Sequence, residues 1–116
     1  NKPLTANVEA AYERTIEEGN RARDRRDYKA AESAYYRALK LNPQDARAIY
    51  GLGNLFNDQQ RWEEAEKAYR QAIVIEPESP EAFIALSFVL TQPVAGANPS
   101  ERYAEAAVMA RKACAL

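Results

Sequence analysis

The sequence predicts an all-α protein, an α-solenoid of stacked antiparallel helix pairs. Three observations carry that prediction. Residues recur at a fixed offset of 34: Gly19 returns as Gly53, Asn20 as Asn54, Ala31 as Ala65, Tyr35 as Tyr69, Ala38 as Ala72 and Pro43 as Pro77. Between the prolines, apolar residues fall three and four apart, the spacing of one helix face. The composition, 23 Ala against 4 Gly in 116 residues, is that of a helix former. A self-similar period of this size means that one unit cannot bury its apolar face alone and must stack on its neighbours.

Six helices follow in order. The first, about 6–25, carries Gly19 and Asn20 and ends in the run Arg21-Ala22-Arg23-Asp24-Arg25-Arg26-Asp27, where positive charge suits a helix C-terminus. The second, 28–41, must stop before Pro43, because an internal proline removes a hydrogen bond and clashes at a cost of ~3 kcal/mol. Ile49, Leu52 and Phe56 define the third, 45–58, and Ala65, Ala68, Tyr69, Ala72 and Ile73 the fourth, 62–75. Pro77 closes that unit. In Ser79-Pro80-Glu81 the serine reads as N-cap and the proline as first helical residue of the fifth helix, 80–91. A third copy starts in register, with Phe83, Leu86 and Leu90 at the places of Ile49, Leu52 and Phe56. It then slips: Trp62 maps to Tyr103, Ala65 to Ala106, Ala72 to Ala113 and Ile75 to Leu116 at an offset of 41. The extra seven residues form an insertion within Gln92–Pro99, and the sixth helix spans 100–115. Gly19, Gly53 and Ser87 on the first helix of each unit, and Ala31, Ala65 and Ala106 on the second, are expected to let the two helices approach closely. Tyr28, Tyr35, Trp62 and Tyr69 should fill the space beside the contact.

Several function classes fall away. With 16 Lys plus Arg and 17 Asp plus Glu, the formal net charge is −1, without the basic excess of a nucleic-acid binder. Hydrophobic residues at 47% and charged residues at 28% describe an ordinary globule. The most apolar run, Ala82 to Leu90, is far short of the ~20 residues of a membrane span. There is no His, which excludes triads and His-ligated metal sites, and the single Cys114 excludes an internal disulfide and a multi-cysteine site. No cofactor is expected. Glu17-Glu18 and Glu63-Glu64 read as solvated helix surface rather than acid–base pairs. Gly51-Leu52-Gly53 has no preceding strand and is no phosphate loop. The Arg21–Asp27 run, half neutralised by its own aspartates, reads as a solvated helix end. The reading is therefore non-enzymatic. One free thiol favours the cytoplasm and is compatible with a periplasm, and a chain beginning at Asn1 reads as a piece of a longer one.

The 34-residue period, with Leu52-Gly53 and Phe56 on one helix, Ala65, Tyr69 and Ala72 on the next and Pro77 at the close, resembles the tetratricopeptide repeat family. The resemblance covers about residues 6–116 as one domain, in units of about 12–45, 46–79 and 80–116. The first unit departs at Thr15 and Glu18, and the third at Ser87, at Ala110 in place of an aromatic, and at the insertion. It implies a right-handed superhelix whose first helices line a concave face that receives a partner peptide or helix. Carried onto this chain, that face comprises Ile16, Asn20, Arg47, Tyr50, Asn54, Asn57, Ile84 and Phe88, beside Glu13, Glu17, Gly51, Glu81, Ala85, Arg23 and Thr91. Ile16, Tyr50, Ile84 and Phe88 make an apolar stripe, Tyr50 is a rigid anchor with a polar tip, and Asn20 and Asn54 can bond a peptide backbone in either sense. The competing reading has Ile84 and Phe88 packing within the stack and the asparagines bridging adjacent units.

Some family members clamp the C-terminal carboxylate of a chaperone tail with two Lys, two Asn and one Arg. The matching positions here are Ile16, Asn20, Gly51, Glu81 and Ala85, which offer a carboxylate no cation, so that partner is rejected. The alternative to a groove binder is a self-assembly module. The sixth helix carries Met109, Ala110, Ala113 and Cys114, and a terminal face with no following unit to cover it favours a homo-oligomer.

Overall fold

The computed structural model describes residues 5–116. It contains six helices: α1 (Ala6–Asp24), α2 (Tyr28–Leu41), α3 (Ala46–Asp58), α4 (Trp62–Ile75), α5 (Pro80–Leu90) and α6 (Pro99–Ala115), with no strand among the described residues. None of these helices is long and apolar enough to cross a membrane. Consecutive helices pack as the pairs α1/α2, α3/α4 and α5/α6, and α2 against α3 and α4 against α5 join the pairs into one stack.

Helix starts follow local chemistry. Side-chain oxygens of Thr5, Asp27, Asp45, Ser79 and Asn98 accept from first-turn backbone N–H groups, satisfying donors that have no partner within the helix. Asp45 caps α3 from outside, so the helix begins one residue later than the spacing alone predicts. Pro80 and Pro99 occupy first-turn positions. The turns inside the first two units are alike. Arg26 (φ 64°) and Gln60 (φ 60°), 34 apart, are both left-handed. The next N–H in each turn, of Asp27 or Arg61, returns to the carbonyl of Ala22 or Phe56 at 2.8 and 2.9 Å, a six-to-one closure of the helix end.

The core is built from small residues against tyrosines. Ala31, Ala65 and Ala106 are buried where the helices of each pair meet. The glycines serve a more particular purpose than the expected helix approach. A Cβ added at Gly19 would lie 2.7 Å from Cε1 of Tyr35, one at Gly51 2.6 Å from the same atom, and one at Gly53 2.5 Å from Cε1 of Tyr69. The buried Tyr35 ring thus lies between one glycine of its own unit and one of the next. The third unit carries Ala110 where the others carry tyrosine, so no ring excludes a side chain at Ser87. Its hydroxyl donates to the Ala106 carbonyl at 3.0 Å.

Polar contacts also join units. The buried Tyr12 hydroxyl accepts the Ala48 N–H at 3.1 Å, tying the start of α3 to α1. Glu66 on α4 accepts from Arg102 at 2.8 Å and from Arg70 at 3.0 Å, and Arg70 grips Glu105 on α6 at 2.8 and 2.9 Å. This network holds the third unit on the second beside the insertion.

Candidate peptide-binding groove

Helices α1, α3 and α5 bring the eight expected groove residues onto accessible surface. Ile84 and Phe88 are 59% and 50% exposed. Ile16 and Tyr50 are half-buried against the core. The four lie on α1, α3 and α5, at least one in each unit. Tyr50 is held by the Tyr69 ring at 5.7 Å, and Phe88 meets the edge of Trp62 at 6.3 Å. Both aromatic groups are therefore positioned before any ligand arrives, which reduces the ordering cost of binding.

The asparagines are more restricted than the sequence suggests. Tyr35 donates its hydroxyl to Oδ1 of Asn20, and Tyr69 donates to Oδ1 of Asn54 at 2.6 Å. These bonds lie within each unit, not between units as the structural alternative supposes. Each tyrosine fixes the orientation of its amide and uses one lone pair of Oδ1, leaving the Nδ2 donors and the second lone pair for a ligand. Asn57 is half-buried, and its Oδ1 is buried without a hydrogen-bond partner among the described residues.

Arg47 is exposed but not a free cation. Its guanidinium binds Asp45 in a fork, Nε to Oδ1 at 3.0 Å and Nη2 to Oδ2 at 2.8 Å, and lies 4.9 Å from the Tyr12 ring centre. The Arg47 side-chain bonds hold the Asp45 carboxyl below the usual carboxylate range. Beside Tyr50 the helix starts of α3 and α5 and the end of α4 enclose a cavity of about 210 Å³, with Glu76 and Glu81 among its lining residues. Glu76 escaped the sequence reasoning because it ends a second helix, outside the groove register. The signal that could have found it is Glu76-Pro77-Glu78-Ser79, a turn that must fold the end of α4 back toward the start of α5.

The α6 face differs in part from expectation. Ala110 and Cys114 are exposed, but Met109 packs against the core and Ala113 is buried, which removes Ala113 from any contact surface. The physical reason is the offset of 41: Ala113 holds the inward place of Ala72. The exposed large apolar residues on this helix are Tyr103 and Val108. In the arginine run, Arg21 pairs with Glu17 at 3.4 Å and Arg23 with Asp58 at 3.4 Å.

A family model described as tetratricopeptide repeat matches residues 16–82. Among solved structures, the chain is similar to the Arabidopsis OM64 TPR domain, with 26% identity, a TM-score of 0.80, and coverage of 96% of this chain and 85% of that one. It is also similar to the second TPR of Spaghetti (RPAP3) bound to the HSP90 peptide SRMEEVD, with 19% identity, a TM-score of 0.80, and coverage of 97% and 99%. The TPR2B domain of yeast Sti1, in complex with pHsp70, shares 22% identity at a TM-score of 0.77, with coverage of 90% and 78%. No curated protein matches the chain in sequence.

Proposed function

This chain belongs to the tetratricopeptide repeat family, and from that premise we propose that it is a non-catalytic protein–protein interaction scaffold that receives a partner peptide or helix in the groove of α1, α3 and α5. The observation that carries the reading is that Ile16, Tyr50, Ile84 and Phe88 are apolar, partly exposed and carried by the first helices of all three units. A run of apolar side chains on one face is the docking surface of a segment with spaced anchors. The Spaghetti domain holds a peptide and the Sti1 domain is in complex with pHsp70; at 19% and 22% identity their likeness is one of fold. A carboxylate-ended chaperone tail is a poor candidate, because Ile16, Asn20, Gly51, Glu81 and Ala85 supply no cation and the neighbouring Arg47 is already engaged by Asp45.

The test is quantitative capture from a lysate of the native source by the wild-type chain and by Tyr50→Ala/Ile84→Ser. The variant should retain its helical signal and capture partners at least tenfold more weakly, or ~1.4 kcal/mol. Equal capture would move the site off this face. One observation favours a second reading, self-association through α6: Tyr103 stands exposed on the helix face of Ala110 and Cys114. Sedimentation would show an oligomer that Tyr103→Glu converts to monomer; a wild-type monomer at high concentration removes this reading.

A further inference from the structure

The groove is acidic although the chain is nearly neutral. Its positions include Glu13, Glu17 and Glu81, with Asp24 and Asp58 one residue beyond Arg23 and Asn57, against Arg23 and Arg47. Glu17 and Asp58 are paired with Arg21 and Arg23, and Arg47 is held by Asp45, so the charges without an ion-pair partner among the described residues are acidic. Asp24 and Glu81 have no cation within ion-pair distance among the described residues; Glu81 instead accepts from the Ser79 hydroxyl at 3.1 Å. The starts of α3 and α5, which face the cavity beside Tyr50, would by themselves favour an anion. Of their N–H groups, those of Arg47, Ala48 and Ala82 are already taken by Asp45, Tyr12 and Ser79. The cavity is lined by Ala46, Ala72, Ala82 and Tyr50, by Ser79 and the acidic Glu76 and Glu81, and by Arg47, whose guanidinium is engaged by Asp45.

We propose that the occupant of the groove is a basic amphipathic segment of a partner protein, with apolar anchors on Tyr50, Ile84 and Phe88 and a lysine inserted in the cavity beside Tyr50. This rests on the groove reading above. A lysine matches the cavity because its four-carbon stem lies along apolar surface while the ammonium meets carboxylates at the mouth. Complementary charge around an apolar strip sets partner choice and orientation, and the strip supplies the affinity.

The probe is a phage-displayed library of random short peptides selected on the full chain. Enriched peptides should combine apolar residues with an excess of Lys and Arg, and should lose binding to Phe88→Ser and to Ile84→Ser. A synthetic consensus peptide should bind Glu76→Gln/Glu81→Gln about three- to tenfold more weakly than wild type, a range set by solvent-exposed charge pairs. The same peptide with norleucine for its lysine should bind both proteins equally. Peptides that need Phe88 or Ile84 but show no basic enrichment, or a norleucine peptide as sensitive to the double variant as the lysine one, overturn the basic partner and leave the groove standing. Peptides indifferent to both groove variants, or no enrichment at all, overturn the groove reading and this proposal with it.

Discussion

Gly53→Ala replaces one hydrogen by a methyl group, and the structure sets its cost through the Tyr69 ring. The new Cβ would stand 2.5 Å from Cε1, 2.7 Å from Cδ1 and 3.1 Å from Cζ, about 0.9 Å short of the ordinary 3.4 Å contact at its closest atom. The ring has little freedom to retreat. Its hydroxyl is bound to Asn54 at 2.6 Å and Tyr50 lies at 5.7 Å. Ala85, which holds in α5 the place Gly51 holds in α3, already packs against the same core. Overpacking of this kind costs roughly 3 kcal/mol at the upper end of its usual range. Replacing glycine by alanine inside a helix returns about 1 kcal/mol of propensity. The net loss is then about 2 kcal/mol, or a fall in melting temperature of roughly 8 °C for a domain of this size. Denaturant titration followed by far-ultraviolet circular dichroism measures it. In a Tyr69→Leu background the ring is gone, only the propensity gain remains, and Gly53→Ala should stabilise by up to about 1 kcal/mol. A Gly53→Ala protein as stable as wild type, or the same loss in both backgrounds, would refute the claim that this glycine exists to admit the ring.

Three further outcomes are expected. Burial, reinforced by the Asp45 charge, pushes the Tyr12 phenol from 10.0 up to about 12; its folded pKa exceeds the unfolded one, so the stability it contributes is complete below pH 10 and is lost as pH rises toward 12, and Tyr12→Phe should flatten that alkaline loss in a pH series of melts. Glu66→Leu leaves Arg102, whose side chain is 13% exposed, without its carboxylate, and should cost on the order of 1–3 kcal/mol, while Glu66→Gln, which keeps an acceptor, should cost less; equal stability of all three would dismiss the network as a fastening for the third unit. Gln60→Gly relieves a left-handed backbone in a non-glycine residue and should raise stability by about 1 kcal/mol, whereas Gly96→Ala, with φ at 80° and nothing near its Cβ, should lower it by a similar amount for the same backbone reason.

The sequence by itself determined the architecture, because what repeats in it is physical. A proline interrupts a helix wherever it stands, a serine before it caps the next, and the recurring places of Ala31, Ala65, Tyr35 and Tyr69 in a 34-residue frame oblige successive pairs to stack. The helix limits, and the surface exposure of the eight positions expected to line a groove, were legible for that reason. Only the tertiary structure decided what those positions can offer. Asn20 and Asn54 are oriented by tyrosines 15 residues away, Arg47 loses its free charge to Asp45, and Glu76 joins the cavity from a helix outside the groove register. Gly19, Gly51 and Gly53 are shaped by rings rather than by helix backbones, and Ala113 is turned inward. Periodicity specifies which face of a helix is buried, since that needs only the angle between successive residues. Which hydrogen bond or ion pair a polar side chain makes depends on distances between helices, and those are set by the packing of the whole stack.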